Sequence, residues 1–301
     1  MNTPVSPDIQ QANFSTMTRA TRLLNYRTHK SRSQFMRILR RHIKLTNLDV
    51  DAPTLVIGGL QEDADVLRAC NFSRITLSNI EGASGNGADP ENLPILPIDA
   101  EDIALPNDAY DNVFAHEVLH HCRSPHRALC EMLRVAKRRV LIMEPNDSVF
   151  LNLLCRMRFS FPFEIVAVVH NGYERGGVRN SNIPNFIYRW SVHEVSKTAS
   201  AFLAERPFSL YADPYWDFNV DEKALARRAQ TRIGMITRVV GASNFIRMLH
   251  AAQQFLNAIG ILRRQGNKFY CCVEKSASLR PWLINEGGAI VFNRSFQPNV
   301  D

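Results

Sequence analysis

No run of 18 or more apolar residues occurs in this 301-residue chain, so a helix crossing a membrane is not expected. Cysteine is scarce and unpatterned. The six residues Cys70, Cys122, Cys130, Cys155, Cys271 and Cys272 show no C-x-x-C spacing and too low a density for a disulfide scaffold, so they read as reduced thiols. The opening residues MNTPVSPDIQQANFS lack the basic-then-apolar layout of a signal peptide, and a cytoplasmic location is the expectation. No G-x-G-x-x-G follows the first strand candidate, which disfavours a nicotinamide dehydrogenase. Internal repeats and long low-complexity tracts are absent too. Basic residues do not interleave with aromatics along the chain, so no nucleic-acid partner is expected.

What is present is an apolar content of 45%, ample for one large core, and a net charge of +7 that weakly favours anionic partners. The charge is concentrated. Nine of the 36 Lys and Arg residues fall between Arg19 and Lys44, a stretch with no acid. Leu23, Leu24, Phe35, Met36, Leu39 and Ile43 recur within it, which predicts a basic amphipathic helix or helix pair. Such a helix either packs on the domain with a solvated face or, through residues 19–44, makes peripheral contact with phosphates or anionic lipid.

From residue 50 onward short apolar runs alternate with helical segments. Leu55–Ile57, Arg74–Ile80, Ile95–Ile98, Asp111–Ala115 and Val140–Met143 read as strands. Asp63–Cys70 reads as a helix, and a second begins at Ser124-Pro125, where Ser caps free N–H groups and Pro suits the first turn. Leu129, Met132, Leu133 and Ala136 then share one face. This alternation predicts a parallel sheet covered on both faces.

Within that rhythm lies HEVLHHCRSPH, from His116 to His126. His116, Glu117 and His120 spell H-E-x-x-H, the zinc peptidase signature, and His126 stands where an extended motif places a third histidine. The chemistry needs both histidines on one face of a regular helix. Here His116 directly follows Val113-Phe114-Ala115, a strand, and Arg123 holds the position where the extended motif needs Gly for a sharp turn. The match reads as accidental, and no metal ligands are assigned; a zinc hydrolase is the least favoured reading.

The stretch PIDAEDIALPNDAYDNVFAHEVLHHCRSPHRALCEMLRVAKRRVLIMEPN, from Pro97, resembles class I S-adenosylmethionine-dependent methyltransferases, in particular the type 11 group that includes ubiquinone/menaquinone-type enzymes. Asp-Ala-Glu, Leu-Pro, Tyr-Asp, Leu-His-His, Leu-x-Glu-x-x-Arg-Val and Glu-Pro come in family order, densely over residues 95–146. Weaker likeness in YRWSVHEVSKTASAFLAERPFSLYADPYW and NKFYCCVEK extends the implied domain to residues 50–276. A basic helical extension (1–49) would precede it and a C-terminal tail (277–301) would follow.

The resemblance implies an α/β, Rossmann-like, seven-stranded and mostly parallel sheet with helices on both faces, and S-adenosylmethionine as cofactor. Gly58 and Gly59 match the glycine motif, though Leu60 and Glu62 occupy its next glycine positions, and Leu60 would narrow the pocket floor. Asn79 stands where an acid usually holds the ribose hydroxyls; Asp99 and Ala100 match the adenine contacts. His116, His120 and Glu117 are the catalytic candidates, since a hydroxyl acceptor needs a general base. Asp111 and Glu144 read as scaffold, His121 equally as scaffold or functional, and residues 156–190, with His170, as an acceptor wall. The implied reaction is methyl transfer to a small-molecule or glycan/lipid-precursor acceptor, with an anionic acceptor suited to the basic residues. The alternative is a catalytically silent binding or scaffold protein of the same fold, motivated by Leu60, Glu62 and Asn79.

Overall fold

The computed structural model describes residues 34–81, 93–157, 160–218, 225 and 232–298. Residues 19–33 of the basic stretch lie outside these; residues 34–46 form helix α1. There follow β1 (Thr54–Ile57), α2 (Gln61–Ala69), β2 (Ile75–Asn79), β3 (Ile95–Pro97), β4 (Tyr110–His116), α3 (Pro125–Val135), β5 (Ala136–Pro145), α4 (Val149–Arg156), α5 (Ile165–His170), α6 (Val192–Phe202) and β6 (Phe208–Tyr215). Helices α7 (Arg232–Val240), α8 (Ala242–Ala258) and α9 (Gly260–Arg263) lead into β7 (Lys268–Lys275).

The seven strands form one sheet in the order β3-β2-β1-β4-β5-β7-β6. β1 pairs in parallel with β2 and β4, and β5 continues beside β4. β7 alone runs antiparallel, between β5 and β6. This is the Rossmann-like methyltransferase arrangement expected from the sequence.

Strand alternation divides the core in two, because successive side chains point to opposite faces. Leu55, Ile57, Val113, Ala115, Val140, Ile142 and Phe269 pack with Leu129, Met132 and Leu133 of α3 and with Val195 and Ala199 of α6. Val56, Phe114, Leu141, Met143 and Tyr270 pack on the other face with Val66 and Leu67 of α2 and with Phe35, Ile38 and Leu39 of α1. The described part of the basic helix therefore covers the sheet, each of its buried apolar side chains contributing about 1.5–3 kcal/mol. The cap expected for α3 is present, with Ser124 Oγ accepting from the Arg127 N–H at 3.4 Å and Pro125 in the first turn.

Residues 277–298, which the sequence reading leaves as tail, contain a hairpin of β8 (Leu283–Glu286) and β9 (Ala289–Phe292). Gly287 and Gly288, both at positive φ, turn it, and a Gly-Gly pair between apolar residues is the signal that could have revealed it.

One ion cluster anchors α1. Asp213 on β6 accepts from His42 at 3.2 Å, pairs with Arg41 at 3.3 Å and also receives Arg263. Burial alone would raise the Asp213 pKa, but the His42 hydrogen bond and the charges of Arg263 and Arg41 outweigh it and hold the pKa below the usual range. Asp213→Ala leaves Arg41, Arg263 and His42 facing no carboxylate, and denaturant unfolding should show a loss of about 3 kcal/mol. Because the folded pKa is depressed, this stabilisation is complete above about pH 4 and disappears as pH falls through the lowered value. The variant's stability should accordingly fall less steeply with acid than the parent's; equal acid limbs would remove Asp213 from that role.

Candidate functional site

Strand order reverses between β1 and β4, the place where open α/β sheets hold ligands beyond their carboxyl ends. A cavity of about 220 Å³ lies there. Gly58 closes β1 with φ +63°, a conformation that favours glycine, and a Cβ built on it would lie 2.6 Å from Val118 Cγ2. Gly59 is constrained by packing instead: its Cβ would meet Val56 Cγ1 at 2.6 Å. Leu60 is half-exposed and outside the cavity lining, its N–H donating to Asp63 Oδ2 at 3.0 Å, so the crowding expected of it does not arise.

Asn79 lines the cavity from the end of β2, and its Oδ1 accepts from the Ile80 N–H at 2.7 Å. Asp99 and Ala100 line it just beyond β3. The Asp99 carboxylate accepts from the Glu101 N–H at 3.0 Å and pairs with Arg179 at 2.7 Å. Glu101, buried, accepts from the N–H groups of Arg123 and Ser124 and pairs with Arg179 at 3.3 Å. Arg179 and Asn180 both stand at positive φ. They follow Gly177, where a Cβ would lie 1.8 Å from the Ile183 carbonyl oxygen. The 156–190 excursion thus supplies part of the cavity wall.

The opening histidine stretch separates into distinct attachments. His116 ends β4; its Nδ1 lies 3.1 Å from Asp63 Oδ1 and its ring packs on Phe35. Glu117 takes φ +55°, its N–H donates to the Met143 carbonyl at 2.8 Å, and its carboxylate pairs with Lys268. Burial opposes ionisation of Glu117, but Lys268 and the neighbouring histidines prevail and hold its pKa down to about 2.

His120 lies in a 3-10 turn, Leu119–His121, with Nδ1 2.7 Å from Glu144 Oε2. Burial works against a charge on His120, yet the Glu144 and Glu164 carboxylates push its pKa up to about 10. The other Glu144 oxygen accepts from the N–H groups of Val118 and Leu119, each at 2.8 Å. His121 lines the cavity, and burial, with the charge of His120, lowers its pKa. His116 and His120 therefore do not share the face of a regular helix.

Of the residues singled out from sequence, Gly58, Asn79, Asp99, Ala100 and Glu117 line one cavity; Gly59, His116 and His120 stand outside its lining. Lys268 was not anticipated; Arg179 was expected only as part of the 156–190 wall, and Glu101 only as part of the Asp-Ala-Glu motif, neither with these partners. Arg179 reaches Asp99 across 80 positions of sequence, and only the paired glycines Gly176-Gly177 before it hint at a close backbone approach.

Residues 60–143 match the family model described as the methyltransferase domain. No curated protein matches the chain significantly by sequence. Among solved structures, it is similar to a magnesium protoporphyrin IX methyltransferase from Synechocystis PCC 6803 with bound SAH (11% identity, 82% of this chain and 84% of that one, TM-score 0.45). It is also similar to a 1,6-didemethyltoxoflavin-N1-methyltransferase from Burkholderia thailandensis (10% identity, 92% and 93% covered, TM-score 0.43). A third is a possible histamine N-methyltransferase from Thermotoga maritima (10% identity, 82% and 99% covered, TM-score 0.43).

S-adenosylmethionine is the cofactor that the match to a methyltransferase domain implies, and the residues fit it: a Cβ-free approach at Gly58, flanked by polar side chains at Asn79 and Asp99. Gly58→Ala should cost about 1–3 kcal/mol in thermal or urea unfolding, because alanine meets both the positive φ and Val118. An unchanged melting temperature would mean that the turn relaxes freely.

Proposed function

We propose that the chain is an S-adenosylmethionine-dependent methyltransferase acting on a small-molecule or glycan/lipid-precursor acceptor. The observation that carries this reading is the cavity at the strand-order reversal, where Gly58, Asn79 and Asp99 converge from three adjacent strand ends. The bound cofactor supplies a methyl group already activated on a sulfonium. The protein's part is alignment and exclusion of water.

In this reading the Asp99 carboxylate and the Ala100 backbone hold the adenine, Asn79 holds a ribose hydroxyl, and Gly58 admits the methionine part. Glu117 faces the acceptor, since it lines the same cavity. His116 and His120, tethered by Asp63 and Glu144, are positioning residues that hold the turn carrying Glu117.

Arg179 occupies the carboxylate on which adenine recognition depends, so the two compete. Calorimetry with S-adenosylhomocysteine tests this. Asp99→Ala should weaken binding by about 1–3 kcal/mol, roughly 5- to 150-fold, the cost of leaving buried donors unpaired. Arg179→Ala should tighten it, and that gain should vanish when Asp99 is also Ala. No binding by the parent chain would sink the reading; weaker binding by Arg179→Ala would instead make Arg179 a cofactor contact.

A further inference from the structure

Behind Glu117, three side chains converge that the methyl-transfer reading does not use together. His120 Nε2 lies 3.4 Å from Glu164 Oε2, and His121 Nε2 lies 3.5 Å from the same oxygen. The three donor atoms all lie within 4.8 Å of one another. In a tetrahedral zinc site, with metal–ligand bonds of about 2.0–2.2 Å, neighbouring ligand atoms stand about 3.3–3.6 Å apart. The two measured separations are edges of that size.

The surroundings of the cluster also resemble those of metal-bound histidines, whose second ring nitrogen is held by a carboxylate or backbone group. His120 Nδ1 is engaged by Glu144, itself fixed by two backbone N–H groups. The His121 ring and Gly177 line the same cavity. Glu164 is held by Asn185, a buried side chain whose Nδ2 donates to Glu164 Oε2 at 3.3 Å and to the His120 carbonyl at 3.1 Å. A carboxylate oxygen is only an acceptor, so each imidazole nitrogen aimed at it must carry a proton, or a cation must sit among all three.

We propose that His120, His121 and Glu164 bind one zinc-type divalent cation, with a fourth coordination position left open. His121 lines the cavity, so the open position adjoins the site of the proposed reaction and can take water or an acceptor oxygen. The cation also ties the turn after β4 to the 160–185 excursion, to which Asn185 already links it by donating to the His120 carbonyl. It takes the place of a proton on His120. This site shares only His120 with the H-E-x-x-H match and does not depend on methyl transfer.

The test is a Co2+ titration of the full chain after chelator treatment and dialysis. The parent should develop the intense visible bands of four-coordinate Co2+ at one equivalent per chain, and Zn2+ should displace them. Glu164→Gln and His121→Ala, both at partly exposed side chains, should each lose the bands, whereas His116→Ala should keep them. Circular dichroism establishes which variants are folded, and either folded variant suffices. No bands in the parent, bands retained in a folded Glu164→Gln or His121→Ala chain, or bands lost in folded His116→Ala would each overturn the assignment. The readout involves neither cofactor nor acceptor, so a failure of methyl transfer leaves it untouched.

Discussion

The buried carboxylate of Glu144 is the group around which the functional end of the sheet is organised. It is fully inaccessible, yet it accepts from the Val118 and Leu119 N–H groups and from His120. Those donors belong to a segment that has just left β4 through a left-handed residue, Glu117, and would otherwise face the interior unpaired. An unsatisfied buried donor costs about 1–3 kcal/mol, so three of them converging on one carboxylate fix the path of the chain. Val118 then stands against Gly58, and the cavity takes its shape from that contact.

A second acidic centre plays a comparable part on the far side of the cavity. Glu101 accepts from Arg123 and Ser124 N–H groups just before α3, and with Asp99 it draws Arg179 inward from a loop more than seventy residues away. The charged groups at the rim are thus mostly paired with one another. Asp63 with His116, Glu117 with Lys268, and Asp99 with Arg179 each join segments distant in sequence. On the β4 side the chain is held by the buried Glu144 and His120. It is more accessible at Arg179, whose side chain is 40% exposed.

Much of the fold was legible because it rests on local periodicity. Continuous apolar runs in the strands and the i, i+3, i+4 face of α3 state which side chains are buried, and both core clusters follow from them. The Ser124-Pro125 start of α3 is a local signal of the same kind. The densest motif, around residues 95–146, brought Asp99, Ala100 and Glu117 to notice, whereas Gly58 and Asn79 came from the glycine motif and the end of the second strand. The motif gives no direction to His116, whose ring turns to Asp63 and Phe35 on the opposite face from α3. Nor does it separate Gly59, which serves packing against Val56, from Gly58, which opens onto the cavity.

By itself, then, the amino-acid order determined the alternation of strand and helix, the doubly covered sheet and the strand ends at which a ligand would lie. These depend on side-chain periods and turn chemistry that operate over a few residues. The tertiary structure decided which charges meet: Arg179 on Asp99, Lys268 on Glu117, and His120 and His121 on Glu164. Such pairs are set by loop paths and by the burial of acceptors such as Glu144. No periodicity encodes them, because their partners are distant along the chain and become neighbours only once the sheet has formed.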